Sequence, residues 1–325
     1  MARRVRACAA TAAVLLALVL AGCTANGTAT TSGESSAAPT SSGTPPVTSA
    51  ATGAPKSTAA SGAIRHIVVI LEENKPATSI IGNPDAPYFN GLATRYAHAS
   101  DYSAVSHPSL PNYLALTSGT TGGITSDCNP PRGSCLVTTP NLADSLQKAG
   151  LGWRMYAEDM PAPCTVQNSG LYAVKHNPFL YYPSVTASAA SCAAHDVPFS
   201  RFGNDLASAS TLPAFSFISP NLCNDMHSCP VATGDAWLAR EVPLILASPA
   251  FTTQRSLLVV TFDEGDSGDN TVACVFAGPA ARAGAASAVP YTHYSLLRTI
   301  EDAFRLPTLN AGDAAASPMA DLLAG

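Results

Sequence analysis

Five short stretches of the chain concentrate alcohol, carboxylate and imidazole groups. Leu71-Glu72-Glu73-Asn74 ends an apolar run with two acids and an amide, all hard oxygen donors. Ser106-His107-Pro108-Ser109-Leu110-Pro111-Asn112-Tyr113 opens a helical pattern, so Ser109 falls at a helix start. A hydroxyl there either caps free backbone N–H groups or acts as a nucleophile whose charge the helix terminus favours. Asn112 is close enough to donate to the same anion, while His107 is open to a structural role. Cys223-Asn224-Asp225-Met226-His227-Ser228-Cys229 spaces Asp225 and His227 two apart, in a loop that a disulfide would fix. Convergent Asp and His side chains ligate metals. Asp263-Glu264-Gly265 follows the apolar run 257–262 and repeats the logic of Glu72 and Glu73. Tyr291-Thr292-His293-Tyr294-Ser295 opens another helix. There the dipole disfavours a protonated imidazole and leaves the neutral form that binds metal. Adjacent carboxylates at one mouth repel unless a cation sits among them. Together the clusters read as a metal site beside an activated hydroxyl.

Such groups must be held by a framework. Residues 64–71, 152–157, 213–218, 256–262 and 272–277 are short, rich in Val, Ile, Leu or Phe, and bounded by turn residues or charges, which predicts buried strands. Residues 87–98, 109–118, 141–149, 232–246 and 292–304 carry helical patterns. The alternation predicts an α/β fold with a largely parallel central sheet and helices on both faces. Ligands bind such sheets at the carboxyl ends of the strands, which is where the polar clusters fall.

The chain has 325 residues, with 46% hydrophobic and only 12% charged, against about 25% charged in an ordinary soluble domain. Its 17 basic and 22 acidic residues give a net charge of −5, which offers no electrostatic support for binding nucleic acid. The one long apolar run, 7–20, follows Arg3, Arg4 and Arg6 and precedes Leu20-Ala21-Gly22-Cys23, so 1–22 reads as a secretory signal. Leu-Ala-Gly-Cys resembles the lipobox of bacterial lipoproteins. That implies cleavage before Cys23, a lipid on its thiol, and an extracytoplasmic protein anchored to the membrane or secreted. Residues 23–62 are almost all Thr, Ser, Ala, Gly and Pro and read as a disordered tether, leaving 63–325 as one domain. Removing Arg3, Arg4, Arg6 and Lys56 from the basic residues, and Glu34 from the acidic ones, leaves 13 against 21 and a charge near −8 for that domain. Sequence proximity in such a compartment suggests disulfides Cys128–Cys135, Cys164–Cys192 and Cys223–Cys229, with Cys274 a buried free thiol.

The run His66-Ile67-Val68-Val69-Ile70-Leu71-Glu72-Glu73-Asn74 resembles the opening of the bacterial phosphoesterase family. That family holds phospholipases C and secreted acid phosphatases within the alkaline phosphatase superfamily. The 106–119 stretch, Asn224-Asp225-Met226-His227 with Gly234-Asp235-Ala236-Trp237-Leu238, Val259-Val260-Thr261-Phe262-Asp263-Glu264, and His293-Tyr294 follow in the same order. The likeness is greatest to secreted acid phosphatases of mycobacterial type, which act on phosphatidylinositol 3-phosphate. It implies an alkaline-phosphatase-like fold and a metal-dependent acid phosphatase of phosphomonoesters working through a phosphoseryl intermediate. Ser109 takes the nucleophile role, Asn112 holds a phosphoryl oxygen, and His176, His227 and His293 act on the phosphate or leaving group. The implied ligands of one or two divalent ions are Glu73, Asn74, Ser109, Asp225, His227, Asp263, Glu264 and His293. Glu264 stands where many two-zinc relatives carry His, which favours Mg²⁺, Ca²⁺ or Mn²⁺ over Zn²⁺. A phospholipase C-type diesterase and a noncatalytic surface-binding lipoprotein are the competing expectations.

Overall fold

The computed structural model describes residues 62–325 apart from 267 and 269. The signal segment 1–22, Cys23 and all of the tether but its last residue lie outside the described residues. Among the described residues, ten strands occur in chain order: β1 His66–Glu72, β2 Ala97–Ala99, β3 Tyr102–Ser103, β4 Trp153–Ala157, β5 Asp196–Pro198, β6 Phe215–Ser219, β7 Ser256–Phe262, β8 Cys274–Ala277, β9 Ala286–Ser287 and β10 Tyr291–Thr292. The helices are α1 Pro87–Arg95, α2 Ser109–Ser118, α3 Leu142–Lys148, α4 Pro183–Thr186, α5 Ala189–His195, α6 Phe202–Leu206, α7 Val231–Leu246, α8 Pro249–Thr253, α9 His293–Phe304 and α10 Ala311–Ala315.

Eight strands form one sheet in the order β5-β4-β6-β1-β7-β8-β2-β9. From β5 to β7 every pairing is parallel. Strands buried on both faces read as unbroken apolar runs, and His66–Glu72 and Ser256–Phe262 are buried at every position. The α/β expectation therefore holds. Two departures are local. The 272–277 segment runs antiparallel to β7, because only a short connection joins the two. The helix expected over 87–98 stops at Arg95, since Ala97-His98-Ala99 alternates buried and half-buried and pairs with β8. Among the described residues, three disulfides join the pairs expected, and Cys274 is free and buried.

The central triplet β6-β1-β7 matters most. Its register sets Ile70 beside Ile218 and Glu72 beside Phe262, so the loops leaving three neighbouring strands start at one level. Helix α7 packs against the segments that follow β1, β4 and β6. Asp235 accepts the backbone N–H groups of Tyr88 (3.0 Å) and Phe89 (2.8 Å) at the start of α1. Trp237 Nε1 donates to Glu158. Gly234 lets the helix backbone approach the loop, for a Cβ there would lie 2.4 Å from Met226 Cγ and 2.7 Å from the Asn224 carbonyl. Gly234→Ala is expected to cost about 1–3 kcal/mol by overpacking, measured by urea unfolding, because the Asn224 carbonyl cannot rotate away as a side chain would.

Candidate active site

Glu73 follows the end of β1, and the central position of that strand places its carboxylate among groups from three other segments. Its Oε2 lies 3.1 Å from Ser109 Oγ at the start of α2. Its Oε1 accepts from Tyr113 Oη at 2.5 Å and lies 3.1 Å from His176 Nε2. Glu264, after β7, brings Oε1 to 3.3 Å from the same Ser109 hydroxyl and Oε2 to 2.5 Å from His107 Nδ1. This geometry rules out the capping role for Ser109. Its hydroxyl caps no backbone group; the Leu110 N–H is taken by Asp127 Oδ1 at 3.0 Å. The alcohol is buried between two carboxylates, with Lys175 Nζ at 3.4 Å.

Asp263 ties the loops together. One of its oxygens, Oδ1, accepts the backbone N–H groups of Asn74 (2.9 Å) and Glu264 (2.7 Å). The other, Oδ2, is buried with no hydrogen-bond partner. Burial, then Glu73 and Glu264, push its pKa well above the usual carboxylate range. Glu264 is raised too, first by burial. Asn74 makes this approach in the left-handed region at φ 52°, which Asn tolerates better than most residues.

His176 is buried between Glu73 and Asp225, with Nδ1 3.3 Å from Asp225 Oδ2 and its ring stacked on Tyr113 at 5.4 Å. Burial alone would lower its pKa, but Glu73 and Asp225 outweigh that and push it up to about 10. Burial alone would likewise raise Glu73; His176 and Lys175 instead hold it down at about 2. The imidazolium and the Glu73 carboxylate are thus a buried ion pair. Asp225 is pushed up to about 6 by burial.

The other expected residues are placed differently. Asn112 spends its whole amide on the loop ahead of α2: Oδ1 accepts from Val105 and Ser106 N–H, and Nδ2 donates to the Ser106 and Pro108 carbonyls. It therefore shapes the Ser109 approach and has no group left for a phosphoryl oxygen. His293 is also committed. Its Nδ1 meets Tyr102 Oη at 2.9 Å and its Nε2 the Asp263 carbonyl at 2.5 Å. Burial lowers its pKa to about 4, so the neutral ring braces Asp263 from behind and leaves no nitrogen for a metal. Asp225 turns to His176 and to the His227 N–H at 2.8 Å, away from Ser109. His227 is exposed at the mouth of the site, 6.0 Å ring to ring from His176, and burial of part of its ring lowers its pKa. Glu72 contributes no contact to Ser109. Successive strand residues face opposite ways, and its carboxyl is buried, unpartnered and pushed well up by burial.

Sequence reasoning missed Tyr113, Lys175 and Asp127. Tyr113 is four residues after Ser109 and so shares its helix face, which was a usable signal. Lys175 adjoins His176. Asp127 precedes a disulfide cysteine and carries no pattern of its own.

Residues 82–307 match the model of the Phosphoesterase family. The chain belongs to that family. It is 40% identical over 253 residues to a phosphatidylinositol-3-phosphatase of Mycobacterium tuberculosis, covering 77% of this chain and 80% of that protein. It is 34% identical to a phosphate-repressible acid phosphatase of Penicillium chrysogenum, covering 67% of this chain and 54% of that protein. The chain thus spans about half the length of that fungal relative. Among solved structures, an alkaline phosphatase superfamily protein from Vibrio parahaemolyticus superposes with a TM-score of 0.53 at 12% identity, over 77% of this chain and 68% of that one. The likeness to that structure is one of fold alone, and the protein is a phosphoesterase-family hydrolase.

Proposed function

We propose that this phosphoesterase is a divalent-cation-dependent acid phosphatase that cleaves phosphomonoesters through a phosphoseryl intermediate on Ser109. The observation that carries the reading is the buried Ser109 alcohol held between the Glu73 and Glu264 carboxylates. Two carboxylates on one alcohol orient its lone pair and offer an acceptor for its proton. Both Glu73 Oε2, at 3.1 Å, and Glu264 Oε1, at 3.3 Å, lie within reach of that proton. Ser109 Oγ attacks phosphorus, the ester P–O bond breaks, and the alcohol departs with a proton. Water then attacks the phosphoserine and frees phosphate. His227 is the one expected histidine left open to solvent, and its lowered pKa confines the acid form to acidic pH, in keeping with an acid optimum.

A cation fits the donor set. Glu73, Asp263 and Glu264 with the Ser109 and Asn74 oxygens would hold it, and the buried, unpartnered Asp263 Oδ2 supports this. Among the described residues, no three His, Cys, Asp or Glu side chains stand as a ready cage. When bound, such an ion supplies charge stabilisation to the phosphoryl oxygens and acidifies the alcohol. Oxygen-only ligands favour Mg²⁺, Ca²⁺ or Mn²⁺. The name of the mycobacterial relative suggests a phosphoinositide headgroup as one substrate. Lipidation at Cys23, with an extracytoplasmic location, would keep the enzyme at a membrane surface.

The test is phosphate release from p-nitrophenyl phosphate by the full chain before and after EDTA dialysis. Activity is expected to fall at least about tenfold, because loss of even the groups that orient a metal's ligands reaches that size, and to return with Mg²⁺, Mn²⁺ or Ca²⁺. Unchanged turnover in EDTA would remove the cation from the reading.

A further inference from the structure

We propose that Lys175, held by Asp127, is a phosphate-binding residue of this site and the one that favours a doubly charged monoester over a singly charged diester. The inference rests on the phosphatase reading above and assigns its charge selectivity to one side chain.

The Lys175 ammonium lies 2.6 Å from Asp127 Oδ2 and 3.4 Å from Ser109 Oγ. An ammonium has three N–H donors. Asp127 and Ser109 occupy two, which leaves one to meet an oxygen of a phosphoryl group brought up to Ser109. Reacting atoms approach to roughly 3 Å before bond formation. A phosphorus atom at that distance from Oγ carries its oxygens into reach of Nζ. The need for such a cation is plain from the surroundings. Glu73 and Glu264 already set two carboxyl groups against the alcohol, and a phosphate monoester adds up to two negative charges.

An incidental surface ion pair would be held loosely at both ends; this one is not. Lys175 sits in the short 3-10 turn Val174–His176. Asn168 Oδ1 accepts the Val174 N–H at 2.9 Å, and Ser219 Oγ donates to the His176 carbonyl at 2.7 Å. The next side chain, His176, is itself clamped between two carboxylates. Asp127 is fixed by the Leu110 N–H and adjoins Cys128, which is cross-linked to Cys135 and whose carbonyl accepts from Tyr181 Oη. The lysine is only 16% exposed. Fixed donors aimed at developing charge need no reorganisation during reaction. Asp127 acts as a positioning residue: the same carboxylate that receives the first free N–H beyond the nucleophile also aims the cation.

The experiment compares the full chain with Lys175→Met, Lys175→Gln, Lys175→Arg and Asp127→Asn, all checked for folding by circular dichroism. Inorganic phosphate binding is measured by calorimetry, and kcat and KM with p-nitrophenyl phosphate and bis(p-nitrophenyl) phosphate. For Lys175→Met the phosphate Kd is expected to rise at least about tenfold and monoester kcat/KM to fall about 10²–10³-fold, the size of losing one fixed donor, with a smaller loss on the diester. Lys175→Gln repeats this if the Met variant misfolds. Lys175→Arg keeps phosphate binding within a few-fold. Asp127→Asn weakens phosphate binding less than Lys175→Met and shifts the monoester-to-diester ratio the same way. Phosphate affinity within twofold of the parent in a folded Lys175→Met or Lys175→Gln chain overturns the proposal, as does equal loss on both substrates. A parent chain that binds phosphate but never releases it from esters defeats the phosphatase reading alone, and Lys175 is then judged on binding. A parent chain that does not bind phosphate defeats the Lys175 proposal.

Discussion

Ser109→Ala is expected to lower phosphate release from a monoester by at least about 10³-fold while the chain stays folded, since removing a nucleophile forfeits the covalent route and leaves only the binding contribution. The geometry makes the two effects separable. The alcohol touches Glu73 and Glu264 through its oxygen alone, and the cap of α2 comes from Asp127 rather than from Ser109. A methyl group therefore keeps the helix and its entry loop, which Asn112 holds through four backbone contacts. Single-turnover assays and acid quenching would show no phosphorylated protein in the variant. A folded Ser109→Ala chain with native turnover would end the serine mechanism.

The second large effect is on stability. His176→Leu takes a cation from between two buried carboxylates. Breaking a buried pair by removing one partner costs about 3–5 kcal/mol, because the remaining charge is left in a poor solvent. Melting should drop by roughly 10 °C for a domain of this size. The pH course gives the loss a signature. His176 rises from 6.5 to about 10 on folding, so its stabilisation is complete below pH 6.5 and fades as pH climbs toward 10. Glu73 falls from 4.5 to about 2, so its share is present above pH 4.5 and is lost as pH drops toward 2. The gap in unfolding free energy between parent and variant should be widest between pH 4.5 and 6.5 and narrow on either side. Urea titrations at pH 5.5 and pH 9.5 check this; a gap that grows with alkalinity would contradict the ion pair.

The framework and half of the site were readable from sequence, and the split has a physical reason. Glu73, Asp263 and Glu264 announce themselves because apolar strands must end where they meet charge, and parallel strands end on the same side. Ser109 is legible because α2 begins there. The histidines were harder. A histidine at a helix start looks the same whether it faces a cleft or, like His293, a buried carbonyl. Asn112 resembles a ligand donor until its amide is seen to be consumed by the Ser106 turn. Asp127 and Lys175 meet only when the 127 loop and the 175 turn fold over α2, and no local pattern records that encounter.

The central place of β1 has a consequence for how the chain is made. Among the described residues His66–Glu72 is the first strand in chain order, yet both of its hydrogen-bonding neighbours, β6 and β7, begin about 150 and 190 residues later. Until they arrive, Ile67-Val68-Val69-Ile70-Leu71 is an oily ribbon with two bare edges, the kind of segment that sticks to its like. The strand that delivers Glu73 is thus also the one most in need of shelter while the rest of the polypeptide is still emerging.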